Sequence, residues 1–173
     1  MNGTQKQNKA LEGNPGMYRQ CTILIVDDDE NDIFFVKRAF TEINVHCAFQ
    51  MLKNGQEVVD YLSGHGAYAD RQKYPLPIMI LMDLKMPIMD GFEVLVWLRA
   101  RPGLKVIPTV VFSSSDLAAD ITRAYELGAN SFMTKSVTYD GLLLKLQTLS
   151  QYWLEHCKHP NVGEADSSNS AVA

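Results

Sequence analysis

Short, wholly apolar runs alternate with amphipathic stretches along most of this chain, and that alternation restricts the fold more than any other feature. The runs are Thr22–Val26, Pro77–Met82 and Pro108–Phe112, with a weaker one at Ser131–Thr134. Val45–Leu52 is apolar at alternate positions and reads as a strand nearer a sheet edge. The amphipathic stretches are Asn31–Glu42, Gln56–Leu62, Gly91–Ala100, Leu117–Leu127 and Tyr139–Cys157. Apolar strands that alternate with helices imply a parallel sheet covered on both faces. Five of each predict an α/β, flavodoxin-like, doubly wound five-stranded parallel sheet of order 2-1-3-4-5. Asn54-Gly55 and Asp90-Gly91 precede helices, and Gly128 follows one. The polar connection Ser63–Pro75 is long for this fold and reads as a surface excursion.

The ends of the chain differ from its middle. Residues 1–18 are rich in Asn, Gln, Gly and Lys and read as a disordered arm, and 159–173 read as a disordered tail. Residues 19–158 between them form one domain. The net charge of -4 argues against nonspecific binding to nucleic acid, which needs a basic face. No apolar stretch nears the ~18 residues of a membrane span, and no signal peptide opens the chain. Cys21, Cys47 and Cys157 are scattered and odd in number, matching neither a zinc spacing nor a disulfide framework. A soluble protein of the reducing cytoplasm is expected.

The chemistry is expected where the apolar runs end. The first is followed by Asp27-Asp28-Asp29, the Pro77–Met82 run by Asp83, the next by Ser113-Ser114-Ser115, and the last by Lys135. Parallel strands point their carboxyl ends the same way, and ligands bind in the crevice there. Carboxylates crowded at one edge repel unless a cation lies among them. Oxygen ligands without Cys or His suit a hard ion, and Mg²⁺ fits best. Each residue also has a plainer reading. Asp29 and Glu30 suit a helix cap, Asp83 a turn, the serines a loop, Lys135 the surface and Phe132 the core.

The stretches ILIVDDDEND, MDLKMPIMDG, VVFSSS and SFMTK, in that order, resemble the motifs of a response-regulator receiver domain. Asp83 and Ser113 are 30 residues apart and Ser113 and Lys135 are 22 apart, as in that family. The resemblance runs from about Thr22 to Cys157, about four-fifths of the chain. The long Ser63–Pro75 insertion, the serine run and the lack of an output domain resemble the small regulators of bacterial phytochrome kinases.

The resemblance implies a phosphoacceptor signalling domain, not an enzyme, in a two-component phosphorelay. Asp83 would take a phosphoryl group from a sensor histidine kinase of phytochrome type. Asp28, Asp83 and the backbone carbonyl of Lys85 would bind Mg²⁺, with Asp27 acting through water. Lys135 would contact the phosphoryl oxygens, and Ser113 would move toward them while Phe132 turns inward as the switch. A homodimer through the fourth helix, fifth strand and fifth helix is also expected. Its motive in the residues is the broad apolar set Leu142, Leu143, Leu144, Leu146, Leu149, Tyr152, Trp153 and Leu154.

Two departures from the family stand out. Ser136 occupies the place of a common cis-proline, and preservation of the other site residues favours a cis Lys135–Ser136 bond. Phe132 lacks the hydroxyl of the tyrosine found in many relatives.

Two rivals remain. One is a receiver-like scaffold that works without phosphorylation. The other is an Asp-nucleophile phosphatase, which needs a general acid two residues after the nucleophile, where this chain has Lys85. A DNA-binding regulator is disfavoured, because nothing after Cys157 is long or apolar enough for a helix-turn-helix.

Overall fold

A computed structural model describes residues 21–160. The expected arm at 1–18 lies outside the described residues, as does all of the expected tail beyond residue 160. The strands are β1 (Thr22–Val26), β2 (Ala48–Leu52), β3 (Met79–Met82), β4 (Thr109–Ser113) and β5 (Ser131–Thr134). The helices are α1 (Glu30–Glu42), α2 (Gly55–Ser63), α3 (Gly91–Arg99), α4 (Ala118–Glu126) and α5 (Tyr139–Ser150). The sheet is parallel throughout, in the order β2-β1-β3-β4-β5. This is the expected topology, with β2 at an edge.

Alternation along each strand divides the core into two layers. Ile23, Ile25, Met79, Leu81, Val110 and Phe112 face Val36 and Phe40 of α1 and Leu142, Leu146 and Leu149 of α5. Leu24, Val26, Ile80, Met82 and Val111 face α2, α3 and α4, where they meet Val58, Leu62, Val94, Leu95, Leu98 and Ala124. β1, β3 and β4 are buried on both faces, which is why their sequences are continuously apolar.

Three helices start on side chains that were legible as caps. Asp29 accepts from the Asn31 amide at the start of α1. Asn54 accepts from the Glu57 amide at α2, and Asp90 and Glu93 form a reciprocal capping box at α3. The excursion after α2 is folded back onto it. Arg71 donates to the carbonyls of Tyr61 and Leu62 at 2.7 and 2.6 Å, and the Tyr61 hydroxyl donates to the Pro75 carbonyl at 2.8 Å.

Two expectations are corrected here. The stretch Tyr139–Cys157 is not one α-helix, because α5 ends at Ser150 and continues as a π-helical segment, Gln151–His156. Most of its apolar excess is also absorbed within the domain. Leu142, Leu146 and Leu149 are buried, and Leu143, Trp153 and Leu154 pack against the same core, leaving Leu144 and Tyr152 exposed.

The second correction concerns the cysteines, since Cys21 and Cys47 form a disulfide. The reason is strand register. Thr22 pairs with Ala48 across β1 and β2, so Cys21 and Cys47, one residue earlier on each, also lie side by side, with Cα atoms 4.9 Å apart. That separation falls within the range a disulfide spans. Cys157 is free.

Candidate functional site

The chain leaves β1 for β2 on one side and returns to β3 on the other, so the sheet's switch point lies between β1 and β3. Asp27 follows β1 and Asp83 follows β3. The Asp83 amide donates to the Val26 carbonyl at 2.9 Å, and the Asp27 amide to the Leu52 carbonyl at 3.0 Å. These bonds carry strand geometry one residue past each strand and fix where the carboxylates stand. Gly91 opens α3 directly behind Asp83. A Cβ there would press on the Asp83 carbonyl oxygen and lie 2.9 Å from the Leu84 Cα.

Asp83 is 8% exposed. Its Oδ1 accepts from the Leu84 amide and from the Ser113 hydroxyl, each at 2.6 Å. Its Oδ2 lies 3.0 Å from the Lys135 Nζ. Ser113 ends β4 with its side chain buried, and its carbonyl accepts from the Lys135 amide at 2.8 Å, which ties the ends of β4 and β5 together. The other two serines diverge. Ser114 is exposed, and Ser115 donates to Asp120 of α4.

The Lys135 ammonium contacts three carboxylates: Asp27 Oδ2 at 2.6 Å, Asp32 Oδ2 at 2.7 Å and Asp83 Oδ2 at 3.0 Å. Burial favours its neutral form, but the hydrogen bonds to Asp27 and Asp32 and the charges of Asp27 and Asp83 outweigh that. Its pKa therefore lies above the ordinary lysine value. Burial raises the Asp27 carboxyl to about 6, against the opposing pull of Lys135. The expected cis bond after Lys135 is corrected, because the described residues contain no cis peptide. A cis bond without proline costs about 2.5–4 kcal/mol, and the four-carbon stem of lysine reaches all three acids from a trans backbone.

Asp27, Asp28 and Asp83 each offer an oxygen within 4.8 Å of the others. Lys135 pairs with Asp27, Asp83 and Asp32, so these acids and Asp28 share one paired ammonium and the cluster retains an excess of negative charge that a hard divalent cation would offset. All the side-chain donors are oxygen, which fits Mg²⁺ or Mn²⁺ better than a softer ion. The Lys85 side chain is exposed, which leaves only its backbone to serve the site. Asp29, by contrast, is a helix cap. Phe132 is half-buried against the core, and its amide donates to the Tyr125 hydroxyl of α4 at 3.1 Å.

Asp32 was not singled out in the sequence. It stands three residues after the cap Asp29, in the first turn of α1, which begins at the same sheet edge as Asp27. That spacing was the available signal.

Comparison with known proteins agrees with this geometry. Residues 23–147 match the response regulator receiver domain family. The response regulator Rcp1 of Synechocystis sp. is 33% identical over 77% of this chain and 88% of its own. The structure of the phosphorylated cyanobacterial phytochrome response regulator RcpA superposes with a TM-score of 0.76 at 33% identity, covering 82% of this chain and 99% of that one. The structure of the Mn²⁺-bound form of Rcp1 gives a TM-score of 0.74 at 32% identity, over 81% and 99%. Sheet order, the acids after β1 and β3, and the family match agree: the chain belongs to the response regulator receiver domain family.

Proposed function

We propose that this chain takes a phosphoryl group on Asp83 from a phytochrome-type sensor histidine kinase, with Mg²⁺ as cofactor. The observation that carries the reading is the convergence of Asp83, Ser113 and Lys135, from three different strand ends, within hydrogen-bonding distance. An Asp83 carboxylate oxygen attacks the phosphorus of a phosphohistidine. A P–O bond forms, the P–N bond breaks, and the imidazole leaves with its electron pair and takes up a proton. Lys135 neutralises charge on the phosphoryl oxygens, and Ser113 turns its hydroxyl from Asp83 toward one of them. Asp28, Asp83 and the Lys85 carbonyl would hold Mg²⁺, with Asp27 acting through water. When bound, Mg²⁺ supplies positive charge against the phosphoryl oxygens. Phe132 then packs further inward as the switch.

The phytochrome-type partner rests on the likeness to RcpA, a cyanobacterial phytochrome response regulator. The proposed dimer uses α4, β5 and α5, where Tyr125 of α4, Leu144 of α5 and Leu117, the residue before α4, are exposed. We place the protein in the cytoplasm, where the Cys21–Cys47 pair would meet a reducing thiol pool.

Acetyl phosphate with Mg²⁺ tests the acceptor. The parent should gain one acyl phosphate by mass, and Asp83→Asn should gain none. Equal labelling of the variant would refute the assignment. Rapid release of phosphate without retained label would favour a phosphatase, and no labelling of the parent would favour a phosphorylation-independent scaffold.

A further inference from the structure

Lys135 touches one carboxylate more than the acceptor chemistry requires. Two of its three partners, Asp27 and Asp83, belong to the trio that clusters within 4.8 Å. The third, Asp32, lies outside that trio and pairs with Lys135 at 2.7 Å. The ammonium and a divalent cation therefore compete for oxygens of Asp27 and Asp83, while Asp32 remains to the lysine.

We propose that Asp32 is a positioning residue that keeps the Lys135 ammonium beside Asp83 when Asp27 and Asp83 turn to a divalent cation. This rests on the Mg²⁺-dependent acceptor reading above and assigns a role to a residue outside it. Among the described residues, the Lys135 ammonium has no polar partner besides these three acids. Its stem is long and flexible. The trans backbone after it runs through Ser136 to Val137, which is fully exposed. A lysine released by two acids with no third acceptor would swing toward water. Asp32 is well placed to prevent this. It sits in the first turn of α1, whose start is fixed by the Asp29 cap. α1 in turn meets the start of α5 through Phe35 and Tyr139, whose ring centroids are 6.2 Å apart. The Asp32 side chain is 40% exposed, so the ion pair adds little to stability, and its value lies in placement.

Titration calorimetry of Mg²⁺ binding to the full chain tests this through a double-mutant cycle. Asp32→Asn should weaken Mg²⁺ roughly three- to tenfold, since the displaced ammonium then has no partner of its own. Asp32→Glu should restore affinity to within about twofold, because it keeps the charge. Lys135→Met should strengthen Mg²⁺ by removing the competing cation. In that background Asp32→Asn should retain less than about half of its parental effect on log affinity, because no lysine remains to position. Equal losses in both backgrounds would show that Asp32 acts only as a distant charge and would overturn the proposal. So would unchanged affinity on Asp32→Asn. A parent chain that takes up no Mg²⁺ would overturn both this inference and the acceptor reading beneath it.

Discussion

The two ends of the sheet are held by opposite means. At the amino end, a covalent bond joins Cys21 and Cys47, and β1 and β2 leave it in register. At the carboxyl end, Asp27, Asp32 and Asp83 pair with Lys135, and Asp28 stands close to Asp27 and Asp83. The first arrangement, while oxidised, needs no ligand to persist. The second retains repulsion that an added cation relieves, so its energy responds to metal, protons and phosphoryl charge. A rigid end and a responsive end on the same strands suit a domain that must report a chemical change without unfolding.

The largest expected effect comes from removing the staple. The disulfide spans 26 residues and encloses all of β1 and α1. Loop-closure entropy gives about 3.5 kcal/mol for a bridge of this span. Reduction, or Cys21→Ser with Cys47→Ser, should lower unfolding stability by about that amount in a denaturant titration. Mg²⁺ affinity should hardly change, because the acids lie at the other end of β1. A matching loss of Mg²⁺ affinity would show that the two ends are coupled.

A smaller effect should follow from crowding the responsive end. Gly91→Ala sets a methyl group against the backbone of Asp83 and Leu84, and neither can move like a flexible side chain. Overpacking of this kind costs about 1–3 kcal/mol. Unlike loss of the staple, it should also shift Asp83 and slow acetyl-phosphate labelling. A variant with parental stability and labelling rate would show that α3 can move away from β3 at no cost.

These ends also differ in how legible they were. Asp27, Asp83, Ser113 and Lys135 could be read because each lies at or just past the end of an apolar run, and a parallel sheet brings such positions to one edge. Asp32 was missed because it lies inside a helix rather than at a strand end, and only its spacing of three from the cap Asp29 pointed to the same edge. The Cys21–Cys47 bond was missed for a related reason. Odd number and wide spacing argue against a framework, whereas pairing depends on β1 and β2 being neighbours in register. The cis bond expected at Lys135–Ser136 came from resemblance, and the ordinary cost of a cis peptide without proline prevailed. The apolar surplus of the last helix was legible as a pattern, but its meaning was not. Leu142, Leu146 and Leu149 pack inward, and Trp153 and Leu154 widen the same contact beyond a single helical stripe.

The smallest expected effect separates the two ends by pH. Asp27 has its carboxyl raised from 3.8 to about 6 in the folded chain, chiefly by burial. The folded state therefore binds more protons than the unfolded state between those values, and stability from this group falls as pH rises through that interval. Lowering the pH from 7 to 5 should then add about 1 kcal/mol to the metal-free protein through Asp27. Asp27→Asn should remove that increment, and the disulfide, which does not titrate, should contribute none of it. Mg²⁺ at subsaturating concentration should shrink that increment without reversing it, because protonating Asp27 removes a carboxylate charge that favours the cation. Mg²⁺ affinity should accordingly decline as the pH falls through about 6. Denaturant titrations of parent and Asp27→Asn at pH 5 and 7, with and without Mg²⁺, read all four quantities. If parent and variant gain equally on acidification without metal, the raised Asp27 carboxyl is not the source, and the responsive end does not owe its pH dependence to that buried acid.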